Sequence, residues 1–322
     1  MKDRIKITIP FSEENKSFLE FVDAWDQIIP TCYFVDICCV GNIKNSAKYL
    51  LEENVGTKKF YFIKSLERID LKHNTISYFP ALMEKVSDFY NDKSIQRLKE
   101  EAKEDLNALR CFFKNARVME DTDFTNMYIE GMKSHHPEVD GEKYHQFLSF
   151  TNESGIIDPV SPDERLDFVR LFCEQANRLT LDKRSVVFVS SVACIYGCLP
   201  ARRLMKFKRD PTKFNSSNVL ADLQSVSRVA RLSSEIECTG RSAFARFSYL
   251  TEDNNLKILY DCFFVRNVER ETIPNGISNK LTTTIDGKRL FPALFNSDGY
   301  LINEKAEQEF NELLTLLGVD AP

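Results

Sequence analysis

The sequence predicts an α/β protein: a parallel sheet flanked by helices, with a mainly helical insertion and a small C-terminal extension. Three observations predict it. Two continuous apolar runs, Cys32–Val40 (CYFVDICCV) and Ser185–Val192 (SVVFVSSV), resemble strands buried on both faces. Amphipathic stretches at helical spacing alternate with them, the βα rhythm of parallel-sheet proteins. Between the two runs, 58–183 is heavily charged and mostly helical in pattern.

The bulk composition sets the limits. With 322 residues, 43% hydrophobic and 28% charged, the chain can bury a large core as one elaborated domain or two. No apolar run reaches the ~18 residues of a membrane span. The first residues, MKDRIKITIPFSEENK, lack the apolar core of a signal peptide. Nine cysteines, an odd count, point to reduced thiols in a cytoplasm. The net charge is −5, yet Pro200–Arg246 holds ten Lys or Arg against four Asp or Glu, an asymmetry that points towards an anionic partner.

The elements follow in order. Ile5–Ile9 reads as a strand and Glu13 to about Ile28 as a helix stopped by Pro30, forming an N-terminal arm over 1–30. Cys32–Val40 is the first buried strand. Its one charge, Asp36, is tolerated in a sheet only when paired, which places it at the strand's C-terminal end, where open α/β sheets build their sites. A bond to backbone N–H groups of the next turn would satisfy the same carboxylate. Gly41-Asn42 ends that strand, and Ile43–Glu53 reads as a helix. Phe60–Ile63 offers a short strand and Ser87–Phe113 a long amphipathic helix. Acids follow at Glu120, Asp121, Asp123 and Glu130. His135-His136 and His145 lack the H-E-x-x-H spacing of a zinc site, and the pair reads as solvated. Ser161 or Asp163 caps a helix that runs to Arg178.

Ser185–Val192, the second strand, leads into a helix over Ala193–Lys208. Its Arg202, Arg203, Lys206 and Lys208 form the face best suited to nucleic-acid phosphates, and equally a solvated surface. In Asn218–Leu232, Asp222 falls on the apolar stripe of Val219, Leu223, Val226 and Val229. Its carboxylate must then be paired, hydrogen-bonded, metal-bound or set against the helix dipole. Ala245–Leu250 is a third strand. Asp253 follows it as a metal ligand or as the N-cap of a helix over Leu256–Tyr260, and Cys262–Val265 is a fourth strand. Turn signals at Pro274-Asn275-Gly276 and Asp286-Gly287 mark a small hairpin within Ile273–Pro292, and Glu304–Leu317 reads as an amphipathic terminal helix.

Asp36, Asp222 and Asp253 thus each fall at a strand end or a helix start. Carboxylates gathered at one sheet edge repel unless a divalent cation joins them, and hard oxygen ligands favour Mg²⁺ or Mn²⁺. Such a site suits phosphodiester hydrolysis.

The segments NVLADLQSVSRVARL and FSYLTEDNNLKIL resemble the C-terminal half of PIN-domain nucleases, where a helix opening with Asp precedes a strand that ends in a Thr-x-Asp turn. CYFVDICCVGN resembles that family's first strand with its first Asp, and VVFVSSVACIYGC its later strand–helix unit. The resemblance covers 31–57 and 184–266, leaving 58–183 as an insertion and 267–322 as a C-terminal extension. It implies a PIN-like nuclease dependent on Mg²⁺ or Mn²⁺, generally acting on RNA, with Asp36, Asp222 and Asp253 as the matching acids. The family's further Glu has no counterpart between Ser190 and Pro200, so Glu120, Asp121, Asp123 or Glu130 would have to supply it. Two other readings stand beside this one. One is a catalytically impaired binding or scaffold protein on the same fold. The other is a toxin-like or phage-defence effector whose insertion or C-terminal helix meets a protein partner or inhibitor.

Overall fold

The computed structural model describes residues 12–319 except 14, 89, 91–92, 134, 136–137, 139–140, 239–242 and 274–275, with backbone alone at 23, 26, 272–273 and 276–279. The strand expected at Ile5–Ile9 lies outside the described residues. The chain divides into two compact units: 1–85, 93–131 and 232–252 form the first, and 86–92, 132–231 and 253–322 the second.

The first unit contains α1 (Lys16–Ile28), β1 (Thr31–Val35), α2 (Ile37–Lys44), α3 (Ser46–Tyr49), α4 (Lys58–Arg68), β2 (Thr75–Ser77), most of α5 (Phe79–Ser87), α6 (Ile95–Phe112), β3 (Arg117–Val118) and most of α7 (Thr122–Met132). β4 (Arg246–Leu250) joins from far along the chain. The four strands make one parallel sheet in the order β3-β2-β1-β4, flanked by helices. β1 (TCYFV) is buried along its whole length, as a strand covered on both faces must be. Phe34 aligns with Ser77 on one side and Tyr249 on the other, and its ring stacks on Phe247 at 6.0 Å. Asp70 fixes the approach to β3 by accepting the backbone N–H groups of Lys114, Asn115 and Ala116 at 2.7–3.0 Å.

Several expectations are corrected here. β1 stops at Val35, and Ile37–Val40 is the first turn of α2, because the Asp36 carboxylate accepts the Cys38 N–H at 3.0 Å and caps a helix. Gly41 therefore lies inside a helix rather than breaking a strand. Phe60–Ile63 belongs to α4, whose first turn Thr57 caps and whose buried residues, Ile63 and Leu66, are three apart. Two of the sheet's four strands, β2 and β3, come from 58–183.

The second unit holds α8 (Gly141–Glu153), α9 (Arg165–Arg178), α10 (Val186–Ile195), α11 (Leu199–Met205), most of α12 (Ser216–Cys238), α13 (Asn254–Tyr260), β5 (Phe263–Ile273), β6 (Gly276–Ile285), α14 (Gly287–Leu290) and α15 (Glu304–Leu317). The strand expected at Ser185–Val192 is instead α10. Ser185 caps it through the Phe188 N–H, and Val187–Ile195 is buried throughout. A helix buried on every side writes the same unbroken apolar run as a buried strand. Cys262–Val265 leads into β5, which pairs antiparallel with β6 in a ribbon separate from the parallel sheet. That hairpin is longer than expected, and the Pro274-Asn275 turn lies outside the described residues. α15 matches its expected bounds. Asn303 caps it and Gly318, at φ +65°, ends it, the left-handed conformation glycine adopts without strain. Leu313, Leu314 and Leu317 are buried, and the helix packs against α9. Among the described residues no single helix is long and apolar enough to cross a membrane.

Candidate active site

Parallel strands end on a common edge. In the first unit that edge carries, in spatial order, Glu120 beyond β3, Ser77 and Tyr78 at the end of β2, Asp36 after β1, and Thr251 and Glu252 after β4. The pairing Val35↔Leu250 sets Asp36 beside Thr251. The Thr251 hydroxyl donates to Asp36 Oδ2 at 2.6 Å while Oδ1 holds the Cys38 amide, so both carboxylate oxygens are oriented. Asp36 is only 6% exposed.

Glu120 is buried to the same degree. It accepts the Ser77 hydroxyl at 2.6 Å and the Tyr78 N–H at 2.7 Å. Burial raises its pKa above the ordinary value of 4.5, although these hydrogen bonds pull the other way. Its field reaches β1: burial, and then Glu120, push the Cys32 thiol up to about 12. At the other end of the edge, Glu252 accepts Asn42 Nδ2 at 2.8 Å and pairs with Lys59, whose ammonium also reaches Asn42 Oδ1 at 2.7 Å.

The raised pKa of Glu120 has a testable sign. Its stabilising contribution is present below the unfolded value and lost as pH rises through the folded value, so towards neutral pH the buried carboxyl disfavours folding relative to a neutral side chain. Glu120→Gln is expected to be at least as stable as the parent near neutral pH. It should also lose less stability from about pH 5 to about pH 8. Urea midpoints measured across that range check both.

The remaining predicted residues have other hydrogen-bond and ion-pair partners. Asp253, just past Glu252, N-caps α13 by accepting the Asn255 and Leu256 N–H groups at 2.7 and 3.2 Å. Asp222 belongs to the second unit. α12 begins at Ser216 rather than Asn218, so Asp222 falls in its second turn, where Lys206 Nζ sits 3.2 Å from Oδ2. Asp121 accepts the Phe124 N–H at the start of α7, Asp123 is exposed, and Glu130 pairs with Lys99. Of the proposed fourth acids, Glu120 alone is buried at the sheet edge. Arg202 donates to the Cys194 and Ile157 carbonyls, which commits it to holding α11, while Arg203, Lys206 and Lys208 are exposed. His135 is exposed, His136 lies outside the described residues, and His145 is buried with Nδ1 3.0 Å from Ser216 Oγ.

The hydrogen-bonding roles of Ser77, Thr251, Asn42 and Lys59 escaped the sequence reading. Only Thr251 left a signal, its place between an apolar strand and two acids. Among the described residues no group of three or more His, Cys, Asp or Glu side chains is arranged to hold a metal ion. Asp36 and Glu120 follow β1 and β3, with β2 between them, and each accepts hydrogen bonds at both carboxylate oxygens. No family model matches the chain, and no curated protein or solved structure is significantly similar to it.

Proposed function

We propose that the sheet edge of the first unit is the active site of a Mg²⁺- or Mn²⁺-dependent ribonuclease on a PIN-like fold. One observation carries the reading: two buried carboxylates, Asp36 and Glu120, end two strands of one parallel sheet and are aimed by hydroxyl and amide donors. Open sheets bind ligands at this edge. Asp36 and Glu120 would hold the cation. When bound, it lowers the pKa of water and offsets charge on a scissile phosphate. Thr251 and Ser77 hold the two carboxylates in place.

The competing reading is a scaffold in which these acids serve as caps and ion pairs, favoured by the Cys38 cap on Asp36 and the Lys59 pair on Glu252. The test is cleavage of single-stranded RNA with Mn²⁺ or Mg²⁺ and with chelator. Glu120→Gln, Asp222→Asn and Asp253→Asn are compared with the parent. Asparagine caps as well as aspartate does, so Asp253→Asn separates capping from catalysis. Cleavage that needs the metal and is lost in Glu120→Gln is the expected result; no cleavage by the parent favours the scaffold. Loss in Asp222→Asn as well would extend the acid set onto α12.

A further inference from the structure

α4 (KKFYFIKSLER) carries four bases against one acid, in a chain whose net charge is −5. Ile63 and Leu66 are its buried face, and Lys58, Tyr61, Lys64, Ser65 and Arg68 are exposed on the opposite one. Tyr61 is 61% exposed among those cations. Rings and ammonium groups alternate around it. Phe60 meets Tyr61 edge-on at 5.6 Å, Lys64 Nζ lies 6.0 Å from the Phe60 ring centre, and Lys59 Nζ lies 5.7 Å from that of Tyr49. Lys59 also ties α4 to the sheet edge, since its ammonium pairs with Glu252 and reaches Asn42. Because α4 leads into the start of β2, it runs from that edge towards the opposite one, rising about 15 Å between Lys58 and Arg68.

We propose that the outer face of α4 is a platform that leads single-stranded RNA to the edge carrying Asp36 and Glu120. The choice of RNA rests on the ribonuclease reading; the platform itself rests on α4. Charge sets the sign of the occupant. Lys58, and Lys48 on α3, are exposed and make no ion pair among the described residues. The Lys64–Glu67 pair is exposed on both sides, so a phosphate can displace the carboxylate at little cost. The rings decide among anions. An acidic peptide would answer the lysines and leave Tyr61 idle. A bilayer needs a broad apolar face, whereas Tyr61 stands among polar neighbours. Single-stranded nucleic acid uses both features, because its bases stack on exposed rings while its phosphates meet the flanking cations. A duplex keeps its bases stacked inside, so the strand must be single.

The test is the anisotropy of a fluorescent oligouridylate of about 12 nucleotides, within the usual range of single-strand site sizes, titrated with the full-length chain. Chelator is present throughout, so binding is read without cleavage, and salt is varied from about 50 to about 200 mM. Tyr61→Ala is expected to weaken binding about 5–150-fold, the loss of one stacked base, while Tyr61→Phe binds as the parent does. Lys58→Ala should flatten the plot of log affinity against log salt by about 0.7, one single-strand phosphate contact. Both side chains are exposed, so urea midpoints should not move. No binding by the parent overturns the proposal, and so does parental binding by folded Tyr61→Ala. Duplex RNA bound more tightly than the single strand, or phosphatidylserine vesicles bound in its place, overturns it too. Should Tyr61→Ala fail to fold, an unchanged salt slope in Lys58→Ala does the same. A parent that binds through Tyr61 yet cuts nothing keeps the platform and refutes the nuclease. Cleavage with binding indifferent to Tyr61 refutes the platform and keeps the nuclease.

Discussion

Asp36→Asn is expected to lower the proposed metal-dependent RNA cleavage by about 10²–10³-fold, the usual cost of removing one electrostatic group from a reaction centre. The fold should barely notice. Asparagine is as good an N-cap as aspartate, so its Oδ1 continues to accept the Cys38 amide and α2 keeps its start. Its amide group then faces Thr251 Oγ1, and the hydroxyl can turn from donor to acceptor. What disappears is the negative charge. Steady-state cleavage measured at several Mn²⁺ concentrations, with the urea midpoint of the same preparation, checks the two halves together. Undiminished cleavage in the substituted protein would remove Asp36 from the site. A large fall in midpoint would show that the carboxylate serves folding first.

Asp105→Ala is expected to destabilise the first unit by about 3–5 kcal/mol, the cost of breaking a buried ion pair from one side. Asp105 lies on α6 with its side chain 2% exposed. One oxygen pairs with Lys44; the other takes the Lys85 ammonium at 2.5 Å and the Tyr78 hydroxyl at 2.8 Å. Alanine leaves a buried phenol without its acceptor and leaves Lys85 and Lys44 only the more distant Glu101 and Glu104, at 3.6 and 3.7 Å. The Tyr78 pKa, pushed up by burial and next by Asp105, should fall towards its ordinary value. Asp105→Asn keeps a partner for Tyr78 and should fall between the two proteins. Chemical unfolding monitored by tyrosine absorbance is the measurement. By contrast, removing an exposed pair such as Lys305–Asp163 should be silent, because water replaces the partner.

The sequence made some of this legible for reasons that can be named. Asp36 is a charge in an apolar run, and only a strand end can hold it. β4 and α13 follow from an apolar stretch running into a polar cluster, with Asp253 where a cap belongs. α15 has the clean period of a helix docked on one side. Other parts left no periodic trace. β2 spans three residues and β3 two, too few for alternation to show, and they position Ser77 and Glu120. α10 is buried all round, so its composition imitates a strand. α6 carries Asp105 among so many exposed charges that a buried carboxylate looks like one more solvated acid.

β1 acquires its two neighbours at very different times. β2 follows it closely in the chain, whereas the hydrogen bond from Thr251 to Asp36 joins residues 215 apart. During synthesis the central strand must therefore wait with one edge unpaired until most of the polypeptide has left the ribosome. Pairings so distant in sequence fold slowly, and a bare edge invites the wrong partner in the meantime. A chain truncated before Arg246 would lose one flank of its central strand together with Thr251 and Glu252. The proposed hydrolytic edge is thus completed late, and an unfinished copy would lack the group that aims Asp36.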